Sequence, residues 1–461
     1  GATYDQQKHH DFARQVAGEC AVLLKNDGAI LPLGPQLKKV AVIGLFAKSP
    51  RYQGAGSSQI RTTQLSNAFD EWKKVAGKTQ LGYAAGYSPE GVTTEQQIAE
   101  AIQLAKTSEV AVVFAGLPDT YESEGFDRKN MDLPEGQNRL IAAVAKANPN
   151  TVVVVMNGSA VAMPWIKGVK GVLEGWLGGQ AGGGALVDIL TGKVNPSGKL
   201  SETFPMQLAD SPTALDFPAT DGDALYGEGI YIGYRYYDKK NVAPLFPFGF
   251  GLSYTRFSYS NLKINGSAFK DSDEVTGEFT VKNTGKLAGQ EIAELYVHDH
   301  STTVSRPENE LKYFAKVALQ PGEQKTVSFR LGYRDFAFYD PHVQDWKVST
   351  GQYDLRVGGS SRQLPLSKTL DMQATRVFTP VLTRYSLMKE FKNHPKGQAI
   401  YQQIMGGMVP PGVDPNSEEA KKMQAMMELF LGDMPIQKMV AMSEGKMTDE
   451  MLDGILIMVN K

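Results

Sequence analysis

Between Lys39 and about Ser201, short apolar runs alternate with amphipathic stretches. Lys39 to Gly44, Val110 to Ala115, Thr151 to Met156 and Gly171 to Trp176 each predict a strand, the third dense in β-branched valine. Between them, Thr94 to Lys106 places Ile98, Ala101, Ile102 and Leu104 on one side of a helix. Pro134 to Ala147 predicts a second helix, and Gly183 to Leu190 closes the series. Strand and helix in this alternation predict an α/β domain over residues 1–210, with a mostly parallel sheet covered on both faces.

The pattern then changes twice. Residues 211–256 are rich in Gly, Pro and Tyr and carry no helical period, which predicts an aromatic connection crossing a surface. Residues 257–372 alternate at period two through Glu278 to Lys282, Glu291 to Val297 and Gln324 to Phe329, with turns at Asn283-Thr284-Gly285 and Pro321-Gly322-Glu323. Short strands at that spacing predict a β-sandwich. Residues 373–461 hold 12 of the chain's 17 methionines, with caps at Ser417 before Glu418 and Glu419 and at Thr448 before Asp449 and Glu450, so a helical extension is expected. Methionine there is read as packing against the body or a partner surface.

Composition narrows the partners. The 461 residues carry 48 basic and 50 acidic side chains, a net charge of -2, which gives no electrostatic reason to expect nucleic acid or an anionic membrane. A neutral small molecule fits the mixed charge. Cys20 is the only cysteine, so no internal disulfide can form; its apolar setting predicts a packed residue, and a cytoplasmic location is favoured. No apolar run reaches the length of about 18 residues that a membrane span needs. The chain opens in mid-pattern at Gly1-Ala2-Thr3 and enters a helix almost at once, so an upstream segment is expected.

The densest chemistry is Tyr121-Glu122-Ser123-Glu124-Gly125-Phe126-Asp127-Arg128. It follows the strand Val110 to Gly116, where a parallel sheet exposes its ligand-binding edge. A carboxylic acid on such a loop can donate a proton, and glycoside hydrolysis needs one facing a second carboxylate across the scissile bond. No other stretch looks like a home for that second carboxylate. Gln53 to Ser58 contains Gly54-x-Gly56 but lacks the third glycine and acidic partner of a dinucleotide loop. Its neighbourhood, Arg51, Tyr52 and Gln53, is expected to face a sugar. Gly178 to Gly184 is read as structural, and His298-Asp299-His300 as a surface feature without a third metal ligand.

Together these segments resemble glycoside hydrolase family 3, the β-glucosidase-type family. The matching pieces run in family order: His10 to Arg14 leading into Val22 to Asn26, Gln53 to Ser58, Glu122 to Arg128, Gly178 to Gly183, Asn195 to Leu200, Pro247 to Tyr254, and Arg306-Pro307 with Leu311-Lys312. The resemblance implies an α/β sandwich domain followed by a fibronectin type III-like domain. It implies that Glu124 is the general acid/base, with Glu122 as competitor, and that the nucleophilic aspartate lies on a separate (β/α)8 barrel that this chain lacks. Asp127 and Arg128 are expected to brace the loop by an ion pair. No metal or cofactor is implied, since carboxylates and water suffice. The expected role is one part of a retaining exo-β-glycosidase, silent alone, whose partners are a β-glycoside, the barrel in cis or trans, and in some settings a second copy of the chain. The alternatives are a non-catalytic carbohydrate-binding or assembly module, or an independent hydrolase using Asp127 or Glu122 as nucleophile.

Overall fold

The structure is a computed structural model that describes residues 3–219, 222–301, 304–406, 414, 417–443 and 445–461. Six strands form its first sheet: β1 (Val22–Asn26), β2 (Lys39–Ile43), β3 (Gln80–Ala84), β4 (Val110–Gly116), β5 (Thr151–Met156) and β6 (Gly171–Glu174). Their order is β1-β6-β5-β4-β2-β3, parallel throughout except that β1 runs antiparallel to β6. Every residue of β4, β5 and β6 is buried, which is why these strands read as unbroken apolar runs. The edge strand β3 is only partly covered and carries Gly82, so it gives no such run.

Five helices cover the sheet: α1 (Gln6–Cys20), α2 (Ala68–Val75), α3 (Glu95–Lys106), α4 (Glu135–Ala147) and α5 (Gly182–Leu190). Thr94 caps α3 in a reciprocal box with Gln97, fixing its start. α5 packs on α1 and α2 and is buried along its whole length. Its glycines permit that approach, because a Cβ on Gly183 would lie 2.6 Å from the backbone of Asn67. Cys20 ends α1 exposed, not packed as its neighbours suggested, because the apolar run that follows it belongs to β1. The loops after β2, β4, β5 and β6 all leave the carboxyl edge of the sheet, so four stretches far apart in sequence share one rim.

Among the described residues the connection holds one short helix, α6 (Tyr234–Lys239), that its composition did not announce. Beyond it lie β7 (Phe257–Ile264), β8 (Ala268–Lys270), β9 (Val275–Asn283), β10 (Gly289–Asp299), β11 (Glu310–Leu319), β12 (Gln324–Leu331), α7 (Tyr333–Phe336), β13 (Phe338–Asp340), β14 (Asp345–Lys347), β15 (Gly351–Gly358) and β16 (Leu366–Gln373). They make a three-stranded sheet ordered β12-β9-β7, a five-stranded sheet ordered β11-β10-β15-β16-β8, and the small pair β13-β14. Strip to strip, the α/β part is stapled to this region by Asn195, whose side chain accepts from Ser253 Oγ and Tyr254 N and donates to Ala288 O. Leu252 N donates to Leu23 O of β1, and Leu200 N to Phe250 O. Gly198 and Gly251 meet so closely that a Cβ on Gly251 would lie 2.2 Å from Gly198 O. Two stretches first noticed as family motifs are thus a clasp between layers.

The extension forms α8 (Met388–Asn393), α9 (Gly397–Gly406), α10 (Glu418–Leu431), α11 (Gln437–Met442) and α12 (Asp449–Asn460), and Ser417 and Thr448 cap α10 and α12. Its own core includes Leu382, Met388, Phe391, Ile436, Met439 and Leu452, so some methionines pack within the extension itself, while Met426, Met442, Met451 and Met458 are exposed. By contacts the chain divides into two units. One carries the α/β sheet and most of the sandwich strands; the other carries Phe269–Glu274, Gly332–Thr350 and everything from Met372 onward. No helix among the described residues is long and apolar enough to cross a membrane.

Candidate active site

The loop after β4 begins with a tight turn in which Pro118 O accepts from the amides of Tyr121 and Glu122. It then meets the loop after β2, where Glu124 N donates to Ala55 O. The Glu124 side chain is exposed and lies along that loop. Its Oε2 accepts from Ser57 N at 2.6 Å and from the Ser57 hydroxyl, while Oε1 has no hydrogen-bond partner among the described residues. Gly56 makes this possible: φ is +92°, and a Cβ there would lie 2.6 Å from Glu124 Cβ. Gly125, also at φ +92°, turns the chain away behind the acid. The hydroxyl of Ser57, then its amide, hold the Glu124 carboxyl below the usual carboxylate value. In this chain the group is therefore an ionised carboxylate at neutral pH. Desolvation, which acts to raise the value as a proton donor needs, ranks behind both Ser57 contacts.

Glu122 points elsewhere. Its Oε2 accepts from Gly158 N and its Oε1 from Ser159 Oγ, each at 2.7 Å, in the turn that follows β5. Both of its carboxyl oxygens are engaged in that turn. Arg128 reaches the same turn, donating to Ser159 Oγ at 2.7 Å and Ala160 O at 3.1 Å. The expected Asp127–Arg128 ion pair is not formed: Arg128 donates into that turn, and Asp127 lies exposed. Burial lowers the guanidinium's pKa, and the charges of Glu122, Glu202 and Asp132 oppose that effect. Deeper, burial raises the carboxyl of Glu202 and pushes that of Glu174, at the end of β6, well above its ordinary value.

The rim residues Arg51, Tyr52 and Gln53 spend much of their polarity internally. Arg51 is only 6% exposed and donates to Leu117 O, Gln53 O and Glu122 O while pairing with Asp119 at 2.6 Å. Its place is between the loops, as a tie, and not at the surface. Gln53 donates to Tyr52 Oη and Ile60 O and accepts from Ile60 N. Together with Gln59, Arg61 and Asp119 these residues line a cleft of about 430 Å³.

The sequence analysis did not single out Ser57, which holds Glu124, or Gly158 and Ser159, which hold Glu122. The signal available was topological: Asn157-Gly158-Ser159 follows β5 as Tyr121 to Arg128 follows β4, so both must emerge at one edge. No cluster of three or more His, Cys, Asp or Glu side chains suited to a metal occurs among the described residues. In the His298 trio each member has a separate partner: His298 bonds Glu308 O, Asp299 accepts from Arg306, and His300 pairs with Asp354.

Comparison with known proteins agrees with this architecture. Residues 21–254 match the glycosyl hydrolase family 3 C-terminal domain, and residues 291–361 match a fibronectin type III-like domain. The chain is 46% identical over 461 residues to thermostable beta-glucosidase B of Acetivibrio thermocellus, a match covering 100% of this chain and 60% of that protein. It is 39% identical over 466 residues to an exo-alpha-(1->6)-L-arabinopyranosidase of Bifidobacterium longum, covering 98% of this chain and 60% of the relative. Among solved structures, the family 3 beta-glucosidase of Bifidobacterium adolescentis superposes with a TM-score of 0.78 at 40% identity, over 86% of this chain and 58% of that one. The chain thus spans about three fifths of the length of these relatives. It belongs to glycosyl hydrolase family 3, as the family's C-terminal domain followed by a fibronectin type III-like domain.

Proposed function

We propose that this chain supplies the general acid/base, Glu124, to a retaining exo-acting β-glycosidase of the β-glucosidase type. The observation that supports this reading best is the presentation of Glu124: an exposed carboxyl at the sheet's carboxyl edge, laid against a glycine, with one oxygen held and the other open. In a retaining mechanism a second carboxylate attacks the anomeric carbon from about 5 to 5.5 Å away while the acid protonates the departing oxygen. Glu122 is engaged as an acceptor twice over, and the family resemblance implies that the nucleophile is an aspartate on a (β/α)8 barrel, which the sheets of the described residues do not form. Approach of that anionic group would lift the low Glu124 carboxyl toward the range where it carries a proton at neutral pH. Tyr52 and Gln53 line the cleft a sugar would enter, and Arg51 acts through the loops it joins.

The chain alone should release no nitrophenol from an aryl β-glucoside, because a proton donor without its nucleophile forms no glycosyl intermediate. Joined to or mixed with a family 3 barrel it should do so, and Glu124→Gln should then abolish turnover of substrates with poor leaving groups. Full activity of the chain by itself, lost on changing Glu122 or Asp127, would instead establish an independent hydrolase. Sugar binding by calorimetry with no activity in any combination would establish a binding module.

A further inference from the structure

We infer that Glu122 is a positioning residue for the acid/base, clamping the Glu124 loop to the turn after β5; this rests on the reading of Glu124 given above. The loop touches that turn at two points. Glu122 takes Gly158 N and Ser159 Oγ, each at 2.7 Å, and Arg128 gives to the same Ser159 Oγ at 2.7 Å and to Ala160 O at 3.1 Å. Ser159 is the common post: its hydroxyl donates to one side of the loop and accepts from the other. Glu124 lies between the two attachments, nearer Glu122, on a span whose residues 124–127 are all exposed.

The fit at the Glu122 end is close. A Cβ on Gly158 would lie 3.2 Å from both carboxylate oxygens, so the backbone is approached at a point where no side chain intervenes. The backbone of Glu122 is held as well, its carbonyl accepting from Arg51 Nη2 at 2.9 Å. Arg128 supplies the charge that makes an anion welcome here. It is half-buried, its Nη2 buried and unpartnered, and Glu122 is the first of the carboxylates that offset its desolvation. Remove the Glu122 carboxylate, and the loop loses the nearer of its two attachments to that turn, leaving Arg128 beyond Glu124 and the Arg51 bond to the Glu122 carbonyl. A displacement of about 1 Å can cost on the order of 100-fold in rate when it falls on a catalytic group.

The test uses the chain together with its barrel and compares kcat/KM for phenyl and dinitrophenyl β-glucosides. Only the phenyl substrate needs the departing oxygen protonated, so a misplaced acid slows one and spares the other. Glu122→Ala should lower the phenyl value by about 10- to 100-fold and leave the dinitrophenyl value within about threefold. Ser159→Ala should do the same more weakly, and serves if Glu122→Ala does not fold. Equal losses on both substrates, or no loss, overturn the inference. Glu124→Gln is the control: if it shows no dependence on the leaving group, the acid/base reading fails, whatever Glu122 does. In the chain alone, Glu122→Gln should speed amide exchange across residues 123–127; unchanged exchange counts against the clamp.

Discussion

At the scale of single residues, two small neighbours set the properties of the Glu124 carboxyl. Ser57 holds the Glu124 carboxyl low through its hydroxyl and amide, so Ser57→Ala should move that carboxyl's pKa upward toward the ordinary value, read by carbon NMR titration of the isolated chain. No change would mean that the hydroxyl contributes nothing. Gly56 gives a different result. Its left-handed backbone, at φ +92°, and the 2.6 Å that would separate an added Cβ from Glu124 Cβ mean that Gly56→Ala strains the loop and displaces the acid together. Backbone strain of that kind costs about 1–3 kcal/mol, so the variant should melt lower and lose phenyl glucoside turnover in the assembled enzyme. The role of Gly56 was legible as a motif, and its contact with Glu124 was not. Nothing in Gln53 to Ser58 says which side chain will lie upon it; that follows from the pairing of β2 with β4, a relation between residues about seventy apart in sequence.

Among elements, the central strands were readable because burial on both faces leaves no polar positions: Thr151 to Met156 is β5 to the residue, and Val110 to Ala115 is β4 less its last glycine. The apolar side of Ile98, Ala101, Ile102 and Leu104 announced α3, and the caps Ser417 and Thr448 announced α10 and α12. The strand β3 escaped because an edge strand needs no apolar run, and the antiparallel turn of β1 escaped because strand direction leaves no mark on a five-residue pattern. In the sandwich, β10 hides a carboxylate with consequences of its own. Glu294 is 4% exposed, accepts from Tyr296 Oη, and lies where a Cβ on Gly249 would approach its oxygens at 2.4 Å. Burial pushes its carboxyl from 4.5 up to about 7. A folded-state value above the unfolded one favours folding while the group is protonated. That contribution is complete below about pH 4.5 and is lost as pH rises through about 7. Glu294→Gln should flatten the decline in melting temperature between those limits, and an unchanged slope would show that Glu294 is not its source.

For the whole molecule, the division into two units predicts two stabilities. The extension has a core of its own, and Phe391 within it is fully buried. Phe391→Ala should cost about 3–5 kcal/mol there, and should lower a transition seen by amide exchange in residues 382–459 while leaving β4 and β5 protected as before. Loss of protection in both would mean that the units unfold as one. The α/β sheet and the sandwich strands stand in a different relation. Gly198 and Gly251 touch backbone to backbone, and Asn195 spans to Ser253, Tyr254 and Ala288. Anyone assembling chimeras from related enzymes will find no clean seam at the end of the helical layer. The strip from Asn195 to Leu200 and the strip from Pro247 to Tyr254 should be inherited from one parent, whichever parents donate the rest.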